Sequence, residues 1–142
     1  YAERAQGDPT TVIQLSPMTL DPFGLGEPTG VDFTSPAVRS DNDRPVSAME
    51  VASGGVIHVA SAFDSGSDDG PYSASVWAIG AVVEGDDGPV VEVMPEPAIV
   101  AFTDGYKTES LAVLTTTDGE QALYIGTDDE DYGGTLRPLP TQ

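Results

Sequence analysis

The sequence predicts an all-β fold, and three observations support this prediction. Apolar residues alternate with polar ones or form short runs, and no stretch shows the 3.6-residue spacing of an amphipathic helix. Glycine (16 residues) and proline (12 residues) are frequent for a chain of 142 residues, as expected where many short strands are joined by turns. With 39% hydrophobic residues, the chain is long and apolar enough to bury a core.

Strands are predicted wherever an apolar run lies between turn-forming residues. Ser53-Gly54-Gly55, Gly85 to Gly88 and Thr117-Asp118-Gly119 indicate hairpin turns, because glycine readily adopts the positive φ that tight hairpins need. Pro95-Glu96-Pro97 is interpreted as a link between two sheets. The run around Trp77 is apolar or small on both alternating faces, which predicts a strand buried on both sides. The predicted strands are Thr11–Leu15, Gly30–Phe33, Ser47–Ala52, Val56–Phe63, Ala74–Val83, Val90–Met94, Ile99–Phe102, Ser110–Thr115, Gln121–Gly126 and Thr135–Leu139.

One pattern occurs twice along the chain. Asp43–Val51 and Asp104–Val113 each lead through a glycine-containing turn into a strand, and the two copies are about sixty residues apart. Each of these strands ends in an acidic loop that contains glycine, residues 64–70 in the first copy and 128–134 in the second. Antiparallel repeats of this kind are typical of β-propeller blades, whose period is usually about 40–50 residues and grows with loop insertions.

The repeat predicts a partial β-propeller of about two to two and a half blades. Residues 1–45 are expected to form an irregular N-terminal segment with one or two strands that complete a preceding blade. Residues 46–103 are expected to form one blade, and residues 104–142 a last, partial blade. A propeller closes with about four blades or more, so another polypeptide would supply the remaining ones. A β-sandwich is the alternative fold.

Charge and composition restrict the partners. The net charge is −19, from 24 acidic and 5 basic residues, so nucleic acid and anionic membrane surfaces would repel the chain. No apolar run is long enough for a membrane span, and there is no cysteine for disulfides or thiolate chemistry. A high content of acidic residues together with a single lysine is typical of halophilic or marine secreted proteins. The start at Tyr1 without methionine indicates a processed chain or a fragment.

The acidic loops are the candidate metal sites. Calcium takes about six to eight oxygen ligands, so a carboxylate-rich loop is a reasonable host, although neither loop has the EF-hand spacing. Within the acidic run of 128–131, we expect Asp129 and Asp131 to hold a cation, because the glycines after them let backbone carbonyls fold back. Asp128, Asp64 and Asp68 are further candidate ligands. The alternative is that both loops are hydrated turns whose charge serves solubility.

Lys107, Glu109 and His58 are the other polar residues that could form a site. Lys107 and Glu109 are two apart in a predicted strand and would share a face, lining a propeller channel where Lys107 meets an anion. The alternative for this pair is a surface ion pair of little energetic worth. His58, the only histidine, is expected to be a satisfied histidine within a strand. No Gly-x-Ser-x-Gly motif is present, and no catalytic residue is predicted.

Residues 104–113 and 123–134 resemble a late blade of secreted bacterial β-propellers, the esterase-like phytases and their relatives. Lys107, Glu109, Leu111 and Ala112 match a lysine-x-glutamate-glycine-leucine-alanine strand, with Ser110 in place of the glycine. Residues 126–129 match a glycine-threonine-aspartate-aspartate strand end. The resemblance implies an extracytoplasmic location and a calcium cofactor.

Three functions are compatible with these observations. The first is a non-catalytic structural or binding portion of a larger acidic, secreted propeller, associated with the polypeptide that supplies the other blades. The second is a calcium-assisted phosphoric-ester hydrolase of the esterase-like phytase type. The third is a free-standing β-sandwich that binds a ligand or a surface.

Overall fold

The computed structural model describes residues 2–3, 12–32, 46–64 and 70–139 of the chain. These residues form β-strands and a single 3-10 turn, Glu130–Tyr132, which confirms the predicted all-β class. The predicted strands lie within about two residues of observed ones, except that two of them form the single strand β9, and β1, β3 and β4 were not predicted. They are β1 Ala2–Glu3, β2 Val12–Leu15, β3 Met18–Leu20, β4 Phe23–Leu25, β5 Thr29–Asp32, β6 Ala48–Val51, β7 Val56–Asp64, β8 Tyr72–Gly85, β9 Gly88–Phe102, β10 Thr108–Thr115, β11 Gln121–Thr127 and β12 Leu136–Pro138.

The strands form separate antiparallel sheets. The first sheet has the order β1-β2-β5, and a short hairpin, β3-β4, extends from it. The middle sheet has the order β6-β7-β8-β9, and the last sheet has the order β10-β11-β12. In the middle and last sheets every strand pairs with its neighbour in sequence, which is the up-and-down order of propeller blades. The described strands close no barrel, so the arrangement is consistent with a partial propeller or a sandwich.

The two central strands of the middle sheet, β7 and β8, are covered on both faces. One face contributes Ile57, Val59, Trp77 and Ile79 to a cluster that includes Leu15 of the first sheet. The other face packs against the last sheet, in a cluster formed by Ala60, Val76, Ala101, Leu111, Ile125 and Leu139. The residues of β8 from Ala74 to Gly80 are therefore buried on both faces of the strand, except Ala78, which is half-buried. This confirms the strand buried on both sides that the apolar run around Trp77 predicted.

The middle and last sheets meet through their first strands, at positions that correspond in the sequence repeat. The Ser47 hydroxyl, one residue before β6, donates a hydrogen bond of 2.7 Å to the Thr108 carbonyl at the start of β10. These two residues are 61 apart, the spacing between the two copies of the repeated pattern. Corresponding positions of the two repeat copies are therefore in contact in the structure, and the two equivalent hairpins lie side by side.

The predicted link between sheets at Pro95-Glu96-Pro97 is wrong. Strand β9 runs without interruption from Gly88 to Phe102 along one edge of the middle sheet. The register passes from Gly80 opposite Val93 to Ala78 opposite Ala98, so the two prolines lie in a bulge. Proline lacks the backbone N–H that a ladder needs, and an edge strand with a bulge tolerates its absence.

The hairpin β3-β4 was not predicted. Met18 pairs with Leu25, and Leu20 pairs with Phe23, so four apolar side chains share one face of the hairpin. All four are exposed, by between 47% (Met18) and 76% (Leu20). The Gly26 amide donates to the Pro17 carbonyl at 2.8 Å, so the hairpin continues the pairing of β2 with β5. An irregular segment was expected here, whereas Pro22 occupies the turn between two paired strands.

Candidate functional site

The acidic loop after β11 is held by backbone hydrogen bonds at both ends. The Asp128 amide donates to the Lys107 carbonyl at 3.0 Å, and the Thr127 amide donates to the Thr135 carbonyl at 2.9 Å. Between them lies the 3-10 turn, in which the Tyr132 amide donates to the Asp129 carbonyl at 3.0 Å. The loop is therefore a compact turn that joins the start of β10 to the segment before β12.

Asp129 is the buried member of the acidic run. Its side chain is 7% exposed, and each of its carboxylate oxygens accepts a hydrogen bond. Oδ1 accepts from the Lys107 amide at 2.8 Å, and Oδ2 accepts from the Thr127 hydroxyl at 2.7 Å. Hydrogen bonds to a charged acceptor are stronger than neutral ones, so this carboxylate ties the start of β10 to the end of β11. We call this arrangement the Asp129 latch.

Lys107, the only lysine of the chain, is buried next to the latch. Lys107 is 7% exposed, and its ammonium group forms an ion pair with Glu130, the next residue along from Asp129. Glu130 has a φ of +50°, a left-handed conformation that non-glycine residues seldom adopt. The positive charge of Lys107 thus faces a carboxylate of the acidic loop.

Glu109 lies where the pairing of β10 with β11 is irregular. Thr108 is opposite Thr127, and Ser110 is opposite Gly126, so Glu109 is an extra residue in a β-bulge. The bulge interrupts strict alternation, and Lys107 itself precedes β10. Spacing alone therefore does not place Lys107 and Glu109 on one face. That these two residues bind a ligand stays a prediction.

The other predicted metal ligands are dispersed or lie outside the described residues. Asp128 and Asp131 are exposed, in contrast to the buried Asp129 between them. Asp64 is the last residue of β7, and Asp68 lies outside the described residues. In the described part of the chain, no group of three or more histidine, aspartate or glutamate residues is arranged to hold a metal ion. Calcium binding stays a prediction.

His58 differs from the expected satisfied histidine. It lies directly opposite Glu50 in the pairing of β7 with β6, and its Nδ1 atom is buried without a hydrogen-bond partner. Burial lowers the pKa of His58 below its ordinary value of 6.5, and the nearby Glu50 carboxylate opposes this shift. Glu50 Oε1 also accepts a hydrogen bond of 3.3 Å from the Val113 amide of β10. The pair therefore lies at the junction of the middle and last sheets.

The last sheet has a second apolar face, opposite the one that packs on the middle sheet. Leu111 and Ile125 face inward, so the residues that alternate with them along β10 and β11 face outward, together with two residues of β12. Leu114 is 40% exposed and Leu136 is 60% exposed on this side. We call this surface the outer face, and its residues are Ser110, Ala112, Leu114, Ala122, Tyr124, Gly126, Leu136 and Pro138.

Comparison of the chain with protein-family models, with curated proteins and with solved structures finds no match. The resemblance to esterase-like phytases therefore depends on the matched residues of the sequence alone. Among the described residues, no helix is long and apolar enough to cross a membrane.

Sequence reasoning identified the acidic loop but not the functions of its members. Four consecutive acidic residues look alike in sequence, and only the position of Lys107 and Thr127 in the folded sheet selects Asp129 for burial. The outer face carried a recognisable signal, because both alternating sets of residues in β10 and β11 are largely apolar or small.

Proposed function

We propose that this chain is a non-catalytic structural and binding portion of a larger, acidic, secreted β-propeller. It associates with the polypeptide that supplies the other blades. The observation that carries this proposal is the difference in coverage between consecutive sheets. The middle sheet has a neighbouring sheet on each face, as a blade within a ring has, whereas the last sheet has a neighbour on one face only.

The strand order supports the same assignment. A propeller blade is a four-stranded antiparallel sheet in up-and-down order, which is the order of β6 to β9. The last sheet repeats this order with three described strands, and the Ser47–Thr108 hydrogen bond joins equivalent positions of the two sheets. Adjacent, equivalent sheets with their first strands together are the arrangement that a propeller repeats around its axis.

The polar groups of the acidic loop favour a structural function over a catalytic one. Both oxygens of Asp129 accept hydrogen bonds from the protein, and the Lys107 ammonium is paired with Glu130. Asp129 and Lys107 are each only 7% exposed, so neither charged group is presented at the surface. These groups instead hold the start of β10 against the end of β11.

Native mass spectrometry of the protein purified from its source tests the proposal. We expect the chain to appear in a complex with at least one other polypeptide. Conditions that weaken apolar contacts should dissociate this complex. A chain that is found without any other polypeptide would contradict the proposal and favour a free-standing sandwich. Hydrolysis of a phosphate ester that depends on calcium would instead favour the hydrolase.

A further inference from the structure

We propose that the outer face of the last sheet is the surface on which the next sheet of the partner polypeptide packs. The partner presents an uncharged sheet face of aliphatic and small residues, surrounded by basic side chains. This inference rests on the proposed function, since it names the contact through which the larger propeller continues.

The outer face carries no charged residue although the chain is strongly acidic. Charged residues make up 20% of the sequence and the net charge is −19, yet none of the eight positions of the outer face is acidic or basic. Two of its leucines, Leu114 and Leu136, are exposed. An exposed apolar patch on an otherwise acidic protein is typical of an interaction surface.

The shape of the outer face favours a sheet as its occupant. Ala112, Ala122 and Gly126 are small, and they lie between the larger Leu114, Tyr124 and Leu136 across three paired strands. A surface of this kind accepts the side chains of a facing sheet, at the spacing of about 10 Å that packed sheets adopt. The inner face of the same sheet already packs in this way, through Leu111 and Ile125 against the middle sheet.

The acidic residues around the outer face indicate which kind of partner would bind there. Acidic residues border the outer face at both ends of β10, where Glu109 is half-buried and Asp118 and Glu120 are exposed. Such a border attracts lysine and arginine residues on a partner and repels an anionic lipid surface. A second copy of the chain would bring another −19 charges to the same border, which opposes self-association.

The experiment measures the affinity of the chain for the polypeptide with which it is found in the native complex. Leu114→Glu and Leu136→Glu each place a charge on the outer face. Val90→Glu is the matched control, because Val90 is an apolar residue on β9, away from the outer face, and its exposure (43%) is close to that of Leu114 (40%). Circular dichroism and the thermal midpoint of each variant establish that it folds.

We expect each of the two outer-face variants to weaken the association by about tenfold or more, and Val90→Glu to leave it unchanged. An association that persists in both outer-face variants overturns this inference while the proposed function stands. A wild-type chain that has no partner overturns both. A homodimer that Leu136→Glu disrupts shows that the occupant is a second copy, and so contradicts the partner proposed here.

Discussion

The middle and last sheets are built alike but differ in coverage. Both have apolar or small residues on both faces of their strands, and both follow the up-and-down order. The central strands of the middle sheet, β7 and β8, are buried on both faces, against the first and last sheets, whereas the last sheet buries one face and leaves Leu114 and Leu136 exposed on the other. A strand whose residues are apolar on both faces therefore predicts that another sheet covers each face. That sheet can belong to the same chain or to another polypeptide.

The largest expected effect comes from the inner face of the last sheet. Leu111 is 8% exposed and packs against the middle sheet, so Leu111→Ala should lower the free energy of unfolding by about 2–4 kcal/mol. Leu114→Ala removes the same atoms from the outer face of the same strand and should cost less than about 0.5 kcal/mol in the chain alone. Denaturant unfolding of both variants measures the difference. Equal losses would contradict the assignment of the two faces.

The Asp129 latch should have the next largest effect. Asp129→Asn removes a charged acceptor from the Lys107 amide and the Thr127 hydroxyl, and we expect a loss of about 1–2 kcal/mol in the free energy of unfolding. Asp131→Asn is the matched control, because Asp131 is exposed in the same loop, and it should cost less than about 0.5 kcal/mol.

Calcium titration separates the latch from a metal site. If Asp129 acts as a hydrogen-bond acceptor, the heat released on adding calcium should be the same for the native protein and for both variants. A heat that Asp129→Asn or Asp131→Asn abolishes would show instead that the loop binds the ion and that the burial of Asp129 serves coordination.

A smaller effect is expected from His58 at the junction of the middle and last sheets. Burial lowers the pKa of His58 in the folded chain below its ordinary value of 6.5. As the pH falls below 6.5, the unfolded chain therefore binds a proton more readily than the folded chain, and the folded chain loses stability. The carboxylates titrate as well, so the relevant quantity is the difference in unfolding free energy between the native protein and His58→Gln. We expect this difference to shift against the native protein as the pH falls, and a constant difference would contradict the shifted pKa.

The sequence predicted the strands well because alternation and turn residues are local signals. It failed at Pro95 and Pro97, because a proline in an edge-strand bulge and a proline in a linker have the same sequence signature. It also missed the β3-β4 hairpin, because its strands are only three residues long and are separated by Asp21 and Pro22.

The candidate site was predictable only in outline. The acidic run marked the loop, but the burial of Asp129 depends on the Lys107 amide, which lies 22 residues away in sequence. The Glu50–Val113 hydrogen bond joins two sheets and has no local signature either. Contacts of this kind arise where one sheet stacks on another. The sequence repeat predicted that the sheets stack, but it did not predict which side chains would pair.

Hydroxyl-radical footprinting measures directly whether another sheet covers the outer face. Leu114, Tyr124 and Leu136 are labelled in the intact complex and in the chain separated from its partner, and Val90 serves as the internal reference. We expect labelling of Leu114 and Leu136 to fall several-fold in the complex while labelling of Val90 stays constant. Equal labelling of the outer face in both states would contradict the claim that a further sheet covers it.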